Sequence, residues 1–372
     1  MHAETNEFYN TAEQENILMP MIDADTHVDE SEATWKKLEG TPYAKYIPVT
    51  IAMPPDEAKR AGYNPTNSRC WVVEGRLQNR AIRDEVNHPP RVLRELEDVP
   101  GRLAHMDKMG VDVQVIFPTF FIRYNTSNAE AEWALTTTYN RWLAEKCAQT
   151  NGRLRWAAVL PLLRPDKAVE ELRWAKEHGA CGIFKRGFDL DRKVTDPHFF
   201  PIYEEASALD LPLCIHTGHP LPAHEWDRGF PIMYSFTELV TSGVAKKFPR
   251  LRFGLIESGA SWIPYTISQL GAVKRQTLRG QQSRLPRLFE LEPELFRANR
   301  LFVTIDPIDD VESLLKFGTE DNLMIGTDYS HTDISANLSA LDEVRSWAAE
   351  GTISNAKAQK ILEINSRPFY GL

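Results

Sequence analysis

Eight short apolar runs, each rich in β-branched residues and followed by a longer amphipathic stretch, recur along this chain. They are Met19–His27, Val111–Pro118, Leu154–Leu162, Ala180–Lys185, Leu211–His216, Leu251–Glu257, Leu301–Asp306 and Leu323–Asp328. Strands alternating with helices in this way are the units of a parallel sheet. The stretch RPDKAVEELRWAKEHGA shows the helical half of one unit: Ala168, Val169, Leu172 and Ala175 share a face, Pro165 opens the segment and Gly179 follows it. Eight such units in roughly 350 residues predict an α/β protein of the (β/α)8 barrel type, although a count of strands does not distinguish closure from an open sheet.

The 372 residues then form one domain, 1–372. Its irregular part is 29–90, too long and too rich in proline and aromatic residues for an ordinary connection. It reads as an insertion after strand one that lies over the barrel mouth as a lid, the alternative being a surface excursion remote from the site. No apolar run approaches the ~18–20 residues that span a bilayer. The opening MHAETNEFYNTAEQEN lacks a basic segment followed by an apolar core, so a cytoplasmic protein with no membrane partner is expected. The net charge of −9 is spread along the chain without a basic cluster, which argues against nucleic acid. Cys70, Cys147, Cys181 and Cys214 form no CxxC pair and read as reduced, mostly buried thiols.

Charged residues gather where the strands should end. Strand one, in MIDADTHVDE, ends in Asp23, Asp25 and His27; strand four in Lys185 and Arg186; strand five in His216; strand six in Glu257; strand eight in Asp328. In a barrel these ends converge on one mouth, and charge buried there is costly unless it binds a cation or pairs internally. Imidazole with carboxylate suits zinc, manganese or ferrous iron.

The segments MIDADTHVDE, RLAHMDKMGVDVQVIFPT, TDPHFFPIYEEASALDLPLCIHTG, FPRLRFGLIESGASWIPY and LMIGTDYSHTD, in that order, resemble the amidohydrolase superfamily. Within it they resemble the amidohydrolase-related branch (amidohydrolase family 2), which includes enzymes similar to aminocarboxymuconate semialdehyde decarboxylase. The resemblance implies a distorted (β/α)8 barrel holding one divalent metal ion, zinc or manganese, through Asp25, His27, His216 and Asp328. It also implies a departure at strand six, where many members carry histidine and this chain has Glu257, a candidate acid/base group, metal ligand or structural residue. Binuclear members bridge two ions with a carbamylated strand-four lysine. Here the mononuclear reading leaves Lys185 or Arg186 to pair with a substrate carboxylate. Arg123 and His219 are further substrate-binding candidates, and His331, His224 and Trp226 lie near the same mouth. The GASW segment offers backbone N–H groups to an anion.

The activity implied is a metal-dependent lyase that decarboxylates an aromatic or unsaturated carboxylic acid, with Asp328 and Glu257 as its catalytic groups. The alternative is hydrolysis of an amide, lactone or C–C bond by metal-bound water. A non-catalytic barrel fits less well, because a scaffold has no need of ionisable strand ends. The partner implied is a small-molecule carboxylate, and the resemblance carries an expectation of a homodimer.

Overall fold

All eight runs carry strands in the computed structural model, which describes residues 21–60, 69–80, 89–124, 126–189, 191–218, 229–278, 294–332 and 335–372. They are β1 (Ile22–Val28), β2 (Val113–Pro118), β3 (Leu154–Val159), β4 (Ala180–Arg186), β5 (Leu213–His216), β6 (Phe253–Ile256), β7 (Leu301–Ile305) and β8 (Leu323–Ile325). Neighbours in sequence are neighbours in one parallel sheet. The helix Pro165–Glu177 starts at its proline, buries Ala168, Leu172 and Ala175, and gives way to Gly179 at φ 93°.

The seam between β8 and β1 decides closure. Tyr329 bridges Thr26 in parallel, His27 N donates to Tyr329 O (2.8 Å), and Asp328 N donates to Asp25 O (2.9 Å). Asp23, fully buried, accepts from the backbone N (2.8 Å) and hydroxyl (2.6 Å) of Thr327 and from Gln114 Nε2 (3.1 Å). Asp23 is therefore a closure residue, and the sheet is a barrel.

Four strands, β3, β6, β7 and β8, stop short of their sequence limits, and two of these ends are bent. β6 ends at Ile256 and β8 at Ile325, and Glu257 (φ 58°) and Asp328 (φ 52°) lie beyond them with left-handed backbones. Such a conformation costs an L-residue about 1–2 kcal/mol, so it marks a place where the chain is bent for a reason. At Glu257 the reason is direction. Ile256 is in register with His216, so strict alternation would turn the next side chain to the opposite face. The left-handed turn brings it back.

The region between β1 and β2 contains a three-stranded antiparallel sheet, Val49–Ala52, Arg69–Val73 and Arg76–Arg80. Trp71 from this sheet and Trp35 pack on Phe120 with ring centroids 6.0 and 4.9 Å away, and Gln78 Nε2 donates to Phe120 O (2.9 Å). Phe120 follows the end of β2, so the insertion rests on the C-terminal end of the barrel. All four cysteines are free and buried, and burial pushes the Cys181 thiol up to about 11, which keeps it unreactive. Among the described residues no helix is long and apolar enough to cross a membrane.

Candidate metal centre

Asp25 and His27 stand two residues apart on β1 and therefore share its inner face. His216 ends β5, and Glu257 and Asp328 arrive from their bent strand ends. The four side chains around His27 converge on its Nε2. His216 Nε2 is 3.1 Å away, Asp328 Oδ1 3.4 Å, Asp25 Oδ1 3.5 Å and Glu257 Oε2 3.8 Å. His216 Nε2 is in turn 2.9 Å from Glu257 Oε2 and 3.6 Å from Asp25 Oδ1. All five residues are buried.

The tautomers follow from the outer partners. His27 Nδ1 meets Pro118 O at 3.0 Å and His216 Nδ1 meets Thr217 O at 2.8 Å. A carbonyl only accepts, so each Nδ1 carries the proton and each Nε2 presents its lone pair to the cluster. Two lone pairs 3.1 Å apart, faced by carboxylates, require positive charge between them. Burial alone would depress the His216 pKa, but Glu257 and Asp25 outweigh it and push it up to about 10. Burial likewise works to raise Asp25, yet His216 and His27 hold it well below the usual carboxylate range. A divalent cation meets the same demand, and the donor set fits one. Asp25 Oδ1 and Glu257 Oε2 are buried with no hydrogen-bond donor. Among the described residues, two overlapping groups have a ligand atom from each residue within 4.8 Å of the others: Asp25, His27, His216 and Glu257; and His27, Glu257, Asp328 and His331.

His331 contributes more than its place in the sequence foretells. It is buried, stacks on His27 at 3.8 Å, and sets Nδ1 2.7 Å from Asp328 Oδ1 while Nε2 meets the Thr119 hydroxyl at 3.0 Å. The imidazole expected on strand six thus has a counterpart on the loop after β8. Ser335 Oγ lies 3.1 Å from both Glu257 Oε1 and Asp328 Oδ2. Neither Ser335 nor Thr119 was legible as a site residue, because a hydroxyl in a loop carries no pattern.

Lys185 is not brought to the cluster. β4 pairs with β5 so that Lys185 matches Ile215 and Arg186 matches His216, which places Lys185 on the opposite face. Its Nζ pairs with Asp189 (2.7 Å) over the Phe199 ring (4.0 Å), so Lys185, expected to pair with a substrate carboxylate, is engaged in an internal ion pair. Arg186 is also engaged, through Nε to Asp189 Oδ1 (2.6 Å) and Nη1 to the carbonyls of Phe121 (3.0 Å) and Tyr124. Arg123 ends the short helix after β2 and is exposed. His219, His224 and Trp226 lie outside the described residues. The backbone N–H groups of the GASW segment are satisfied internally, those of Ala260 (2.8 Å) and Ser261 (2.9 Å) by Asp309. Glu30, at the end of the opening motif, is buried and accepts from the backbone N of Thr119 (3.2 Å) and Phe120 (2.8 Å).

A model of the amidohydrolase family matches residues 22–372. The chain belongs to that family. Gamma-resorcylate decarboxylase from Polaromonas sp. (strain JS666 / ATCC BAA-500) is 25% identical over 304 residues, covering 73% of this chain and 87% of that protein. Among solved structures, an amidohydrolase from Mycobacterium avium subsp. paratuberculosis K-10 superposes with a TM-score of 0.73 at 18% identity, over 95% of this chain and 98% of the other. The 5-carboxyvanillate decarboxylase of Novosphingobium aromaticivorans DSM 12444, complexed with manganese and 4-hydroxy-3-methoxy-5-nitrobenzoic acid, gives 0.68 at 20% identity, over 95% and 96%. The amidohydrolase fold of this chain is therefore the barrel expected from its strand pattern.

Proposed function

We propose that this family member is a divalent-metal-dependent carboxy-lyase that decarboxylates an aromatic or unsaturated carboxylic acid. The observation that carries the reading is the pairing of a cation-demanding donor set with an acid at its edge. Asp328 Oδ1 is 3.4 Å from His27 Nε2 and 2.7 Å from His331 Nδ1. Asp25, His27, His216 and Asp328 would hold the ion, zinc or manganese, which supplies a Lewis acid for the substrate carboxylate and a neighbouring oxygen. His27 and His216 are oriented for this by their carbonyl partners, and Asp23 and the β8 seam keep Asp25 in place.

The protonated Asp328 carboxyl delivers its proton to the carbon that bears the carboxylate. The C–C bond then breaks, its electron pair returns to the conjugated system, and carbon dioxide leaves. One proton is taken up for each carboxylate lost. Arg123, exposed beside the end of β2, is the candidate for pairing with a remote substrate anion. The insertion rests on Phe120 at that end of the barrel, which supports its role as a cover for the mouth.

The test is carbon dioxide release from a panel of hydroxybenzoates and unsaturated carboxylates by manganese- or zinc-loaded protein. In D2O the product should carry one deuterium at the vacated carbon, and Asp328→Asn should lose about 10²–10⁴-fold in rate. Amide or lactone hydrolysis with solvent oxygen-18 in the product, and no carbon dioxide, overturns the reading in favour of a hydrolase.

A further inference from the structure

Glu257 is the one carboxylate of the centre whose part the family resemblance leaves open. Three observations bear on it. Its Oε2 is buried without a hydrogen-bond donor, 2.9 Å from His216 Nε2 and 3.8 Å from His27 Nε2, both lone-pair atoms by the tautomer argument. Its backbone takes the left-handed conformation that turns the side chain to the face of His216 rather than away from it. Its other oxygen, Oε1, lies 3.1 Å from Ser335 Oγ, so the carboxylate is oriented with one oxygen held and the other aimed at the two imidazoles.

The spacings fit Glu257 as a donor to one ion. Ligands bound at ~2.1 Å to one ion lie about 3.0 Å apart at right angles and about 3.4 Å apart at the tetrahedral angle. Five of the six separations among Asp25 Oδ1, His27 Nε2, His216 Nε2 and Glu257 Oε2 run from 2.9 to 3.8 Å, and a ligand atom from each of the four lies within 4.8 Å of the others. Asp328 shares the edge of this set, with Oδ1 2.7 Å from His331 Nδ1 and 3.4 Å from His27 Nε2, and Oδ2 3.1 Å from Ser335 Oγ.

We infer that Glu257 is a further metal ligand, joining Asp25, His27, His216 and Asp328 around the ion. This rests on the metal-dependent reading above and adds one ligand to it. The centre then combines two imidazoles with three carboxylates, and Glu257, just beyond β6, replaces the acid/base group expected there.

The experiment is a comparison of manganese and cobalt affinity in wild type, Glu257→Gln, Glu257→Asp and Asp328→Asn, by competition with a chromophoric chelator. The visible spectrum of the cobalt-loaded proteins reports the donor set independently of turnover. Glu257→Gln should lose at least about 100-fold in affinity and change the cobalt spectrum, with part of the affinity restored in Glu257→Asp. Asp328→Asn should lower affinity and lose carbon dioxide release together. If wild type binds metal and Glu257→Gln, folded by circular dichroism, binds it equally with an unchanged spectrum, the inference falls and Glu257 returns to an acid/base role. If wild type takes up no metal, the underlying metal-dependent reading falls with it.

Discussion

Replacing Gly326 with alanine should open the barrel seam and disturb the metal centre together. A Cβ at this position would lie 2.4 Å from Asp25 Cβ, 2.9 Å from Asp25 N and 3.0 Å from Asp25 Cα. Carbon atoms in contact prefer 3.5–4.0 Å, so β1 and the end of β8 must part by about 1 Å. The nearest groups are backbone, which cannot rotate aside as a side chain would. Two hydrogen bonds cross the seam here, Asp328 N to Asp25 O (2.9 Å) and His27 N to Tyr329 O (2.8 Å), and a 1 Å displacement breaks both. Overpacking of this kind, with buried groups left unpaired, costs about 3 kcal/mol. With an unfolding entropy of ~2.1 cal/mol/K per residue over 372 residues, that lowers Tm by roughly 4 °C. The same opening separates Asp25 and His27 from Asp328, so manganese affinity should fall in parallel. Calorimetric unfolding of the metal-free protein and chelator competition measure the two effects. An alanine variant with Tm within 1 °C of wild type and undiminished metal affinity would refute the reasoning, because it would show that the seam yields without cost.

His331 should act on turnover by positioning Asp328. His331→Gln, which moves the donor away from the Nδ1 position, should lower kcat by about 10- to 100-fold, whereas His331→Asn, which keeps a donor there, should stay much closer to wild type. Equal losses in the two variants would contradict the role of Nδ1. Glu132 should make folding pH-dependent. It is buried, accepts from Leu163 N (2.7 Å), and burial pushes its carboxyl up to about 8. The folded state therefore keeps a proton that the unfolded chain loses near pH 4.5, and the resulting stabilisation, complete below that pH, disappears as pH rises through about 8. Between pH 5 and 8.5 wild type should lose roughly 3 kcal/mol relative to Glu132→Gln in urea unfolding. Parallel stability curves for the two proteins would sink this assignment.

The fold and the heart of the site were written in local pattern. β-Branched runs spaced by amphipathic stretches determined eight βα units, and polar residues at the ends of three of them, Asp25 with His27, His216 and Asp328, determined which side chains meet. Period-two alternation within β1 was enough to place Asp25 and His27 on one face. What lay beyond that reach depended on register between strands and on backbone turns at their ends. Lys185 and His216 look equally well placed in sequence, and only the pairing of Lys185 with Ile215 shows that the lysine faces the other way, where Asp189, four residues on, neutralises it. Glu257 looks like a strand residue and reaches the cluster only because its backbone turns left-handed. His331, Ser335 and Thr119 come from loops, whose course is set by the packing of the whole barrel. Closure itself, carried by Asp23, Thr327 and the close approach at Gly326, joins the first strand to the last. Sequence determines what each short segment prefers, because strand, helix and alternation are local. Tertiary structure decides which preferences meet, because closing a ring of strands sets distances between residues some 300 positions apart.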